Sequence, residues 1–404
     1  MANILGINLS ELRPTAIWEK ITTFLNSAEG HYLVTPNPEI ILASHHDEEL
    51  FFILNQADLA IADGFGLKIA ARLLYGKIWR LTGADLSLKL LQKAEEEKIR
   101  TVILNWRDGL SSQTEITSVL QQKYPNLDFL VLAIDRSVTL SEQENKTIND
   151  FAPGLIFVAT GCPYQEKVIY HNLKKWPTVR LALGIGGAFD FITNKIKRAP
   201  VWLRTLGLEW LWRLIKQPRR LKRIYNATFV FLSKVLKVRF INPYFYRPNV
   251  ACWLYKKENG QIKVLILERR DEANHWQLPQ GGLDHEAVAV AAARELAEET
   301  NAQNISQRAI FKDVYRYDFP KTNRRRGDHH PRLESRRFQS DYRGQKQSLF
   351  VAEYLGSDSE IRTNYWDHRA WQWISPDRLV EVSHISRKEA SRIFLEKFQS
   401  LNIN

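Results

Sequence analysis

Cysteine is nearly absent from the 404 residues: only Cys162 and Cys252 occur, far apart in the chain. Neither a disulfide framework nor a cysteine zinc site is indicated, and two lone thiols suit a reducing compartment. No apolar run approaches the roughly 20 residues needed to span a bilayer. The opening MANILGINLSELRP lacks a basic region followed by an apolar core, so no secretory signal is expected. Acidic residues are missing from one stretch: between Lys195 and Arg247, fourteen Lys/Arg stand against a single acid, Glu209. A second block, Lys321 to Lys346, sets nine basic residues against three acids, which leaves the rest of the chain at −7 beneath a total of +12. A mildly acidic body with two basic devices points to phosphate or membrane head groups as partners. What remains is ordinary globular composition, 44% apolar and 25% charged, long enough for two or three domains at roughly 150 residues each.

The first 190 residues alternate short apolar runs with amphipathic stretches. HYLVT, ADLAIADG, TVILNW, FLVLAID, LIFVATG and VRLALGIGG read as strands, while GADLSLKLLQKAEEEK and PYQEKVIYHNLKKW read as helices. Such alternation predicts an α/β fold, a Rossmann-like parallel sheet covered on both faces. Thr35, Asp63, Gly161 and Gly184 fall at or just past the C-terminal ends of these strands, the edge at which open α/β sheets bind ligands. A different pattern begins near Tyr246, with strands NVACWLYK, KVLILERR, SLFVAEYL and AWQWIS around a glycine turn and a helix. The intervening INPYFYRPN carries two prolines and reads as a domain boundary. The expected division is 1–194, a basic appendage 195–242, and 243–404 with the basic insert 321–346.

One stretch raises a question of its own. RELAEET places Glu295, Glu298 and Glu299 at i, i+3 and i+4, on one helical face, where like charges repel. Three carboxylates there offer hard oxygen ligands to Mg²⁺ or Mn²⁺; a solvated acidic face is the alternative. The context favours the metal. GGLDHEAVAVAAARELAEETNA resembles the Nudix box, with seven residues between Glu286 and Arg294 and RELAEE matching its core. Two departures are present: four rather than five residues separate Gly281 from Glu286, and Asn301 stands where the family has glycine. Asn is among the few residues that visit the left-handed conformation. RPNVACWLY, HWQLPQGGLD, GQKQSLFVAEY and AWQWIS extend the resemblance to the RNA pyrophosphohydrolase and dinucleoside polyphosphate hydrolase branch. The resemblance implies an α+β domain, an α/β/α sandwich, with metal on Glu295, Glu298, Glu299 and Asp367, catalytic roles for Glu298 and Glu299, and a structural pair Glu286–Arg294. It further implies hydrolysis of a nucleoside-diphosphate-linked substrate, a dinucleoside polyphosphate or an RNA 5′-triphosphate end; UDP or a UDP-sugar is a further candidate.

VTPNPEI, ADLAIADGFGLKIA, RLTGADL, GCPYQEK and the block from GIGGAFDFITNKIK to QPRRLKRI are weak singly. Gly186 and Gly187 lie in a Gly-Ile-Gly-Gly turn that lacks a full dinucleotide fingerprint. In this order, the segments resemble the WecB/TagA/CpsF glycosyltransferases (glycosyltransferase family 26) over roughly residues 1–240. That resemblance implies inverting transfer of an N-acetylmannosamine-like hexose from a UDP donor to a polyprenyl-diphosphate-linked acceptor, without a cofactor. Asp63 becomes the general base, a role a well-placed carboxylate can fill. Thr35, Asn37 and Gln165 hold sugar and phosphate, Arg80 opposes diphosphate charge, and Gly186 and Gly187 belong to the substrate loop.

Leu221, Ile224, Tyr225, Thr228, Leu232 and Val235 recur at helical spacing among basic residues. Such a helix lies in a membrane interface or packs its aromatics inward. The expected protein is a bifunctional enzyme at the inner face of the cell membrane, with a second copy of the chain as a further candidate partner. In the alternative reading, the C-terminal half is a non-catalytic module that binds RNA or anionic lipid.

Overall fold

The structure is a computed structural model that describes residues 1–74, 76–197, 199–200, 203, 211–212, 221–319 and 342–403. Most of the tryptophan-rich stretch between 198 and 220, and residues 320–341, which include most of the basic insert, lie outside the described residues. The chain divides into two units, the first Met1–Lys237 and the second from Val238 onward.

In the first unit, six strands form one wholly parallel sheet. Their spatial order is Leu59–Ala60, His31–Val34, Leu181–Gly184, Leu155–Ala159, Thr101–Trp106 and Phe129–Ile134. Strands such as Leu155–Ala159 are apolar almost throughout because both faces are covered. Leu33, Ile103, Phe157 and Leu183 meet Leu86, Leu90 and Phe189 in one core. Helix starts are well specified: Ser112 and Ser141 each form a reciprocal capping box with a glutamate three residues on. An N-terminal hairpin, Ala2–Ile4 with Ile7–Leu9, was not anticipated from the sequence.

The second unit is a three-layer α/β/α sandwich around a seven-stranded mixed sheet. Its path runs Trp276–Gln277, Gln261–Arg269, Tyr246–Glu258, Gly344–Tyr354 and Ile305–Asp318. Gln280–Gly282 and His368–Ile374 pair onto it from the side. Tyr246–Glu258 and Gly344–Tyr354 run parallel, while the other pairs are antiparallel. The period of two sorts the central strand: Val250, Cys252 and Leu254 face the helix Val288–Thr300, and Ala251, Trp253 and Tyr255 face the helix Lys388–Gln399. Pro248, read as part of a linker, lies inside the strand Tyr246–Glu258.

The helical run Leu221–Phe240 departs from its sequence reading. Ile224, Phe231 and Val235 are buried, whereas Leu221, Tyr225, Phe229 and Leu236 are exposed. The expected single stripe therefore splits into an inward and an outward one. A π-helical turn, Asn226–Val230, adds a residue to the turn and rotates the two halves against each other. Arg223 ties the run to the body through Glu39 at 2.5 Å.

Candidate active sites

At the C-terminal edge of the parallel sheet, Thr35 follows its strand directly and donates to the Gly184 carbonyl at 3.2 Å. Asp63 is half-buried, its amide bonded to the Pro36 carbonyl at 2.8 Å. The Asp63 carboxylate accepts the Gly83 amide at 3.3 Å, at the N-terminus of the helix Gly83–Glu96, where negative charge is favoured. A Cβ at Gly83 would come 3.3 Å from the Thr35 hydroxyl and 3.8 Å from Asp63, so glycine keeps the space between them open. The Arg80 backbone bridges to Ala62, one residue before Asp63. Two expected ligands are engaged internally. Asn37 caps the helix Pro38–Ser44 by accepting the Ile40 amide at 3.0 Å.

Gln165 is buried, accepts the Gly186 amide at 2.8 Å and donates to Glu166 at 2.7 Å. It thereby shapes the Gly184–Gly187 loop, and Gly184 has no room for a Cβ, which would sit 2.7 Å from the Gln165 amide. Gly186 adopts φ +52°, a conformation that glycine takes without strain. Glu166 is itself buried, and burial pushes its carboxyl up from the ordinary value. No sequence pattern had singled it out.

In the second unit, Val288, Ala291, Ala292 and Leu296 seat the acidic helix on the sheet, and Glu295 and Glu299 lie on that same buried face. Arg294 reaches Glu295 at 2.7 Å, Glu286 at 3.0 Å, the Gly282 carbonyl at 2.9 Å and Glu298 at 3.3 Å. Burial disfavours its charge, but Glu295, Glu286 and Glu298 outweigh this and push its pKa above the usual guanidinium range. The repulsion implied by the sequence is thus answered in part by one arginine. Glu299 accepts the Gln280 amide at 2.9 Å. A Cβ on Gly281 would fall 1.8 Å from the Glu295 carboxyl carbon, so only glycine fits there. Asn301 takes φ +58° at the helix C-terminus, doing the work of the missing glycine.

Asp367 is half-buried, its amide bound to Asn364 at 3.0 Å, and the Asn364 side chain also donates to the Glu298 carbonyl at 3.3 Å. The next residue, His368, is buried with Nε2 3.9 Å from Glu299, and burial with Arg269 nearby lowers its pKa to about 3. Arg269 feels the charge of both Asp367 and Glu299, which sets Asp367 beside the carboxylate group. Arg269, Gln280, Asn364 and His368 were missed in the sequence, where no spacing links them to the acidic helix. The donor set suits a hard dication: two buried carboxylates, Glu295 and Glu299, with the exposed Glu298 beside them, and a glycine that leaves room for Glu295.

Residues 2–243 match the family described as Glycosyl transferase WecG/TagA/CpsF, more than half of the chain. The chain belongs to that family. Residues 245–398 match the NUDIX domain, so a glycosyltransferase is joined here to a Nudix unit. An N-acetylglucosaminyldiphosphoundecaprenol N-acetyl-beta-D-mannosaminyltransferase of Bacillus subtilis (strain 168) is 32% identical over 238 residues, 57% of this chain and 91% of that protein. The enzyme of the same name from Staphylococcus aureus (strain MRSA252) is 28% identical over 242 residues, 59% and 92% respectively. A C. elegans Ap4A hydrolase crystal structure is 17% identical, covering 38% of this chain and 98% of its own, with a TM-score of 0.28. No helix among the described residues is long and apolar enough to cross a membrane.

Proposed function

We propose that the transferase unit moves an N-acetylmannosamine-type sugar from a UDP donor to a polyprenyl-diphosphate-linked acceptor, with inversion, at the cytoplasmic face of a membrane. The observation that carries this is the meeting of Thr35 and Asp63 across Gly83 at the C-terminal sheet edge. Asp63 takes the proton from the acceptor hydroxyl as that oxygen displaces UDP from the sugar carbon. Arg80, in the segment bridged to Ala62, opposes the diphosphate. Gln165 holds the Gly186 amide, and so the loop that faces the donor, in place.

The Nudix unit, in the same reading, hydrolyses a phosphoanhydride of a nucleoside diphosphate derivative. Glu295, Glu298 and Glu299, with Asp367 beside them, would hold Mg²⁺. When bound, the ion supplies Lewis acidity toward phosphate and a more acidic water. Arg294 and Gln280 fix two of the carboxylates, and Gly281 leaves room for Glu295. UDP, the product of sugar transfer, is one candidate substrate. The basic insert 321–346 supplies cations for phosphate-rich ligands.

The full chain is assayed with Mg²⁺ against UDP, UDP-sugars, dinucleoside polyphosphates and 5′-triphosphorylated RNA, and separately for sugar transfer to a lipid-linked acceptor. Asp63→Asn is expected to cut transfer by about 10²–10⁴-fold, and Glu298→Gln to abolish hydrolysis. Transfer undiminished in Asp63→Asn removes that residue as base. No turnover of any phosphoanhydride by the wild type would instead make the Nudix unit a binding module.

A further inference from the structure

Away from the glutamates of the acidic helix, the Nudix unit gathers a second set of metal-type donors. Glu272, His275 and His384 each present one ligand atom, all within 4.8 Å of one another. His275 Nδ1 lies 2.8 Å and His384 Nε2 3.4 Å from the two oxygens of Glu272. We propose that these three residues form a binding site for a divalent transition ion, zinc above all, that clips the turn after the strand Gln261–Arg269 to the segment leading into the last helix.

The backbone holds the donors together before any ion arrives. The His275 amide bonds back to the Glu272 carbonyl at 3.3 Å, a turn that puts both side chains on one side, with Asn274 at φ +60°. Ser383 bridges to Trp276, and the His384 amide bonds to the Trp276 carbonyl at 3.1 Å. These bonds bring two distant segments side by side. The donor chemistry is selective: two imidazoles and one carboxylate suit zinc and its neighbours, whereas the all-oxygen set on the acidic helix suits magnesium. The imidazoles approach different oxygens of Glu272, at 2.8 and 3.4 Å, and one ligand atom from each residue lies within 4.8 Å of the others, so small shifts bring them to the roughly 3.3 Å between ligands of a tetrahedral ion.

His275 is buried, while Glu272 is half exposed and His384 is 24% exposed, which leaves a side open to water as a further ligand. The two rings stack at 3.9 Å with 15° between their planes. A shared ion requires the more exposed His384 ring to tilt until its lone pair points in plane. His384 Nδ1 lies 2.8 Å from the Ser386 hydroxyl. Nδ1 also accepts the Ser386 amide in a long contact of 3.4 Å; ligation through Nε2 requires that contact to give way to an Nδ1 proton donated to the hydroxyl, as ligand histidines commonly arrange it.

The full chain, stripped with chelator, is titrated with Zn²⁺ in excess Mg²⁺, which occupies the oxygen-only carboxylates. Wild type is expected to take up one zinc per chain with a rise in Tm. Co²⁺ in its place should give the visible absorption of a four-coordinate ion. His384→Ala and Glu272→Gln, both at the surface, should weaken uptake on the order of 10²-fold with circular dichroism unchanged, and Ser386→Ala about tenfold. Glu298→Gln should bind zinc as wild type does. No uptake by the wild type, or uptake that survives His384→Ala and Glu272→Gln, overturns the site.

Discussion

Two residues show how a site can depend on a position that performs no chemistry. Gly281 is one: a methyl group there meets the Glu295 carboxylate at 1.8–2.0 Å, so the acid must move. Displacement of a catalytic group by about 1 Å can cost on the order of 10²-fold. Gly281→Ala should therefore lower phosphoanhydride hydrolysis by that factor while sugar transfer is unchanged; full hydrolysis in the variant would show that Glu295 has slack. Glu166 is the other. Burial raises its carboxyl above 4.5, so above that pH the folded chain keeps a proton that the unfolded chain has released. Stability from this group is present at acid pH and is lost as pH rises through the folded-state value. Glu166→Gln keeps an acceptor for Gln165 and removes the titration. Thermal unfolding of the transferase unit across pH should find the variant relatively more stable at alkaline pH, with the gap closing toward pH 4.5. A gap independent of pH would mean Glu166 is not protonated in the fold.

At the scale of elements, the run from Leu221 carries two apolar faces in different surroundings. The inner one, Ile224, Phe231 and Val235, packs on the body; the outer one sets Tyr225 against Phe229 at 5.6 Å, with Leu221 and Leu236 nearby along the helix. Replacing Tyr225 and Phe229 by serine removes apolar area worth about 1.5–3 kcal/mol for each ring when fully buried. Binding to anionic lipid vesicles should fall at least about tenfold for the pair, with sugar transfer to a water-soluble acceptor retained. Phe231→Ser should instead destabilise the unit, visible as a lower Tm.

Elements also differ in how far the sequence reveals them. The parallel strands were readable because both of their faces are apolar, and the acidic helix because its alanines and glutamates repeat at helical spacing. The 14-residue strand Ile305–Asp318 was not. It lies at the sheet edge, and register shifts after Gln307 and Phe311, with Asp313 at φ +55°, break the alternation that marks a strand. The single stripe read along 221–235 failed for a related reason, since a π-helical turn is invisible to a fixed period. Thr35, Asp63 and the three glutamates stood out at strand ends and on a helix face. Arg269, Gln280 and His368 reach the carboxylates only through the tertiary fold.

For the molecule as a whole, the parallel pairing of Tyr246–Glu258 with Gly344–Tyr354 has a temporal meaning. Asn249 and Gln347, joined by a side-chain hydrogen bond across this pair, are 98 residues apart in sequence. The sheet of the first unit is finished by Gly184, so a chain emerging from the ribosome can close it early. The Nudix sheet must wait, its first strand apolar and without its parallel neighbour until synthesis has passed Tyr354. Contacts of such long range slow closure and leave an edge open to wrong partners. During synthesis, the interval between Tyr246 and Tyr354 is thus the stretch in which this chain most needs chaperone protection.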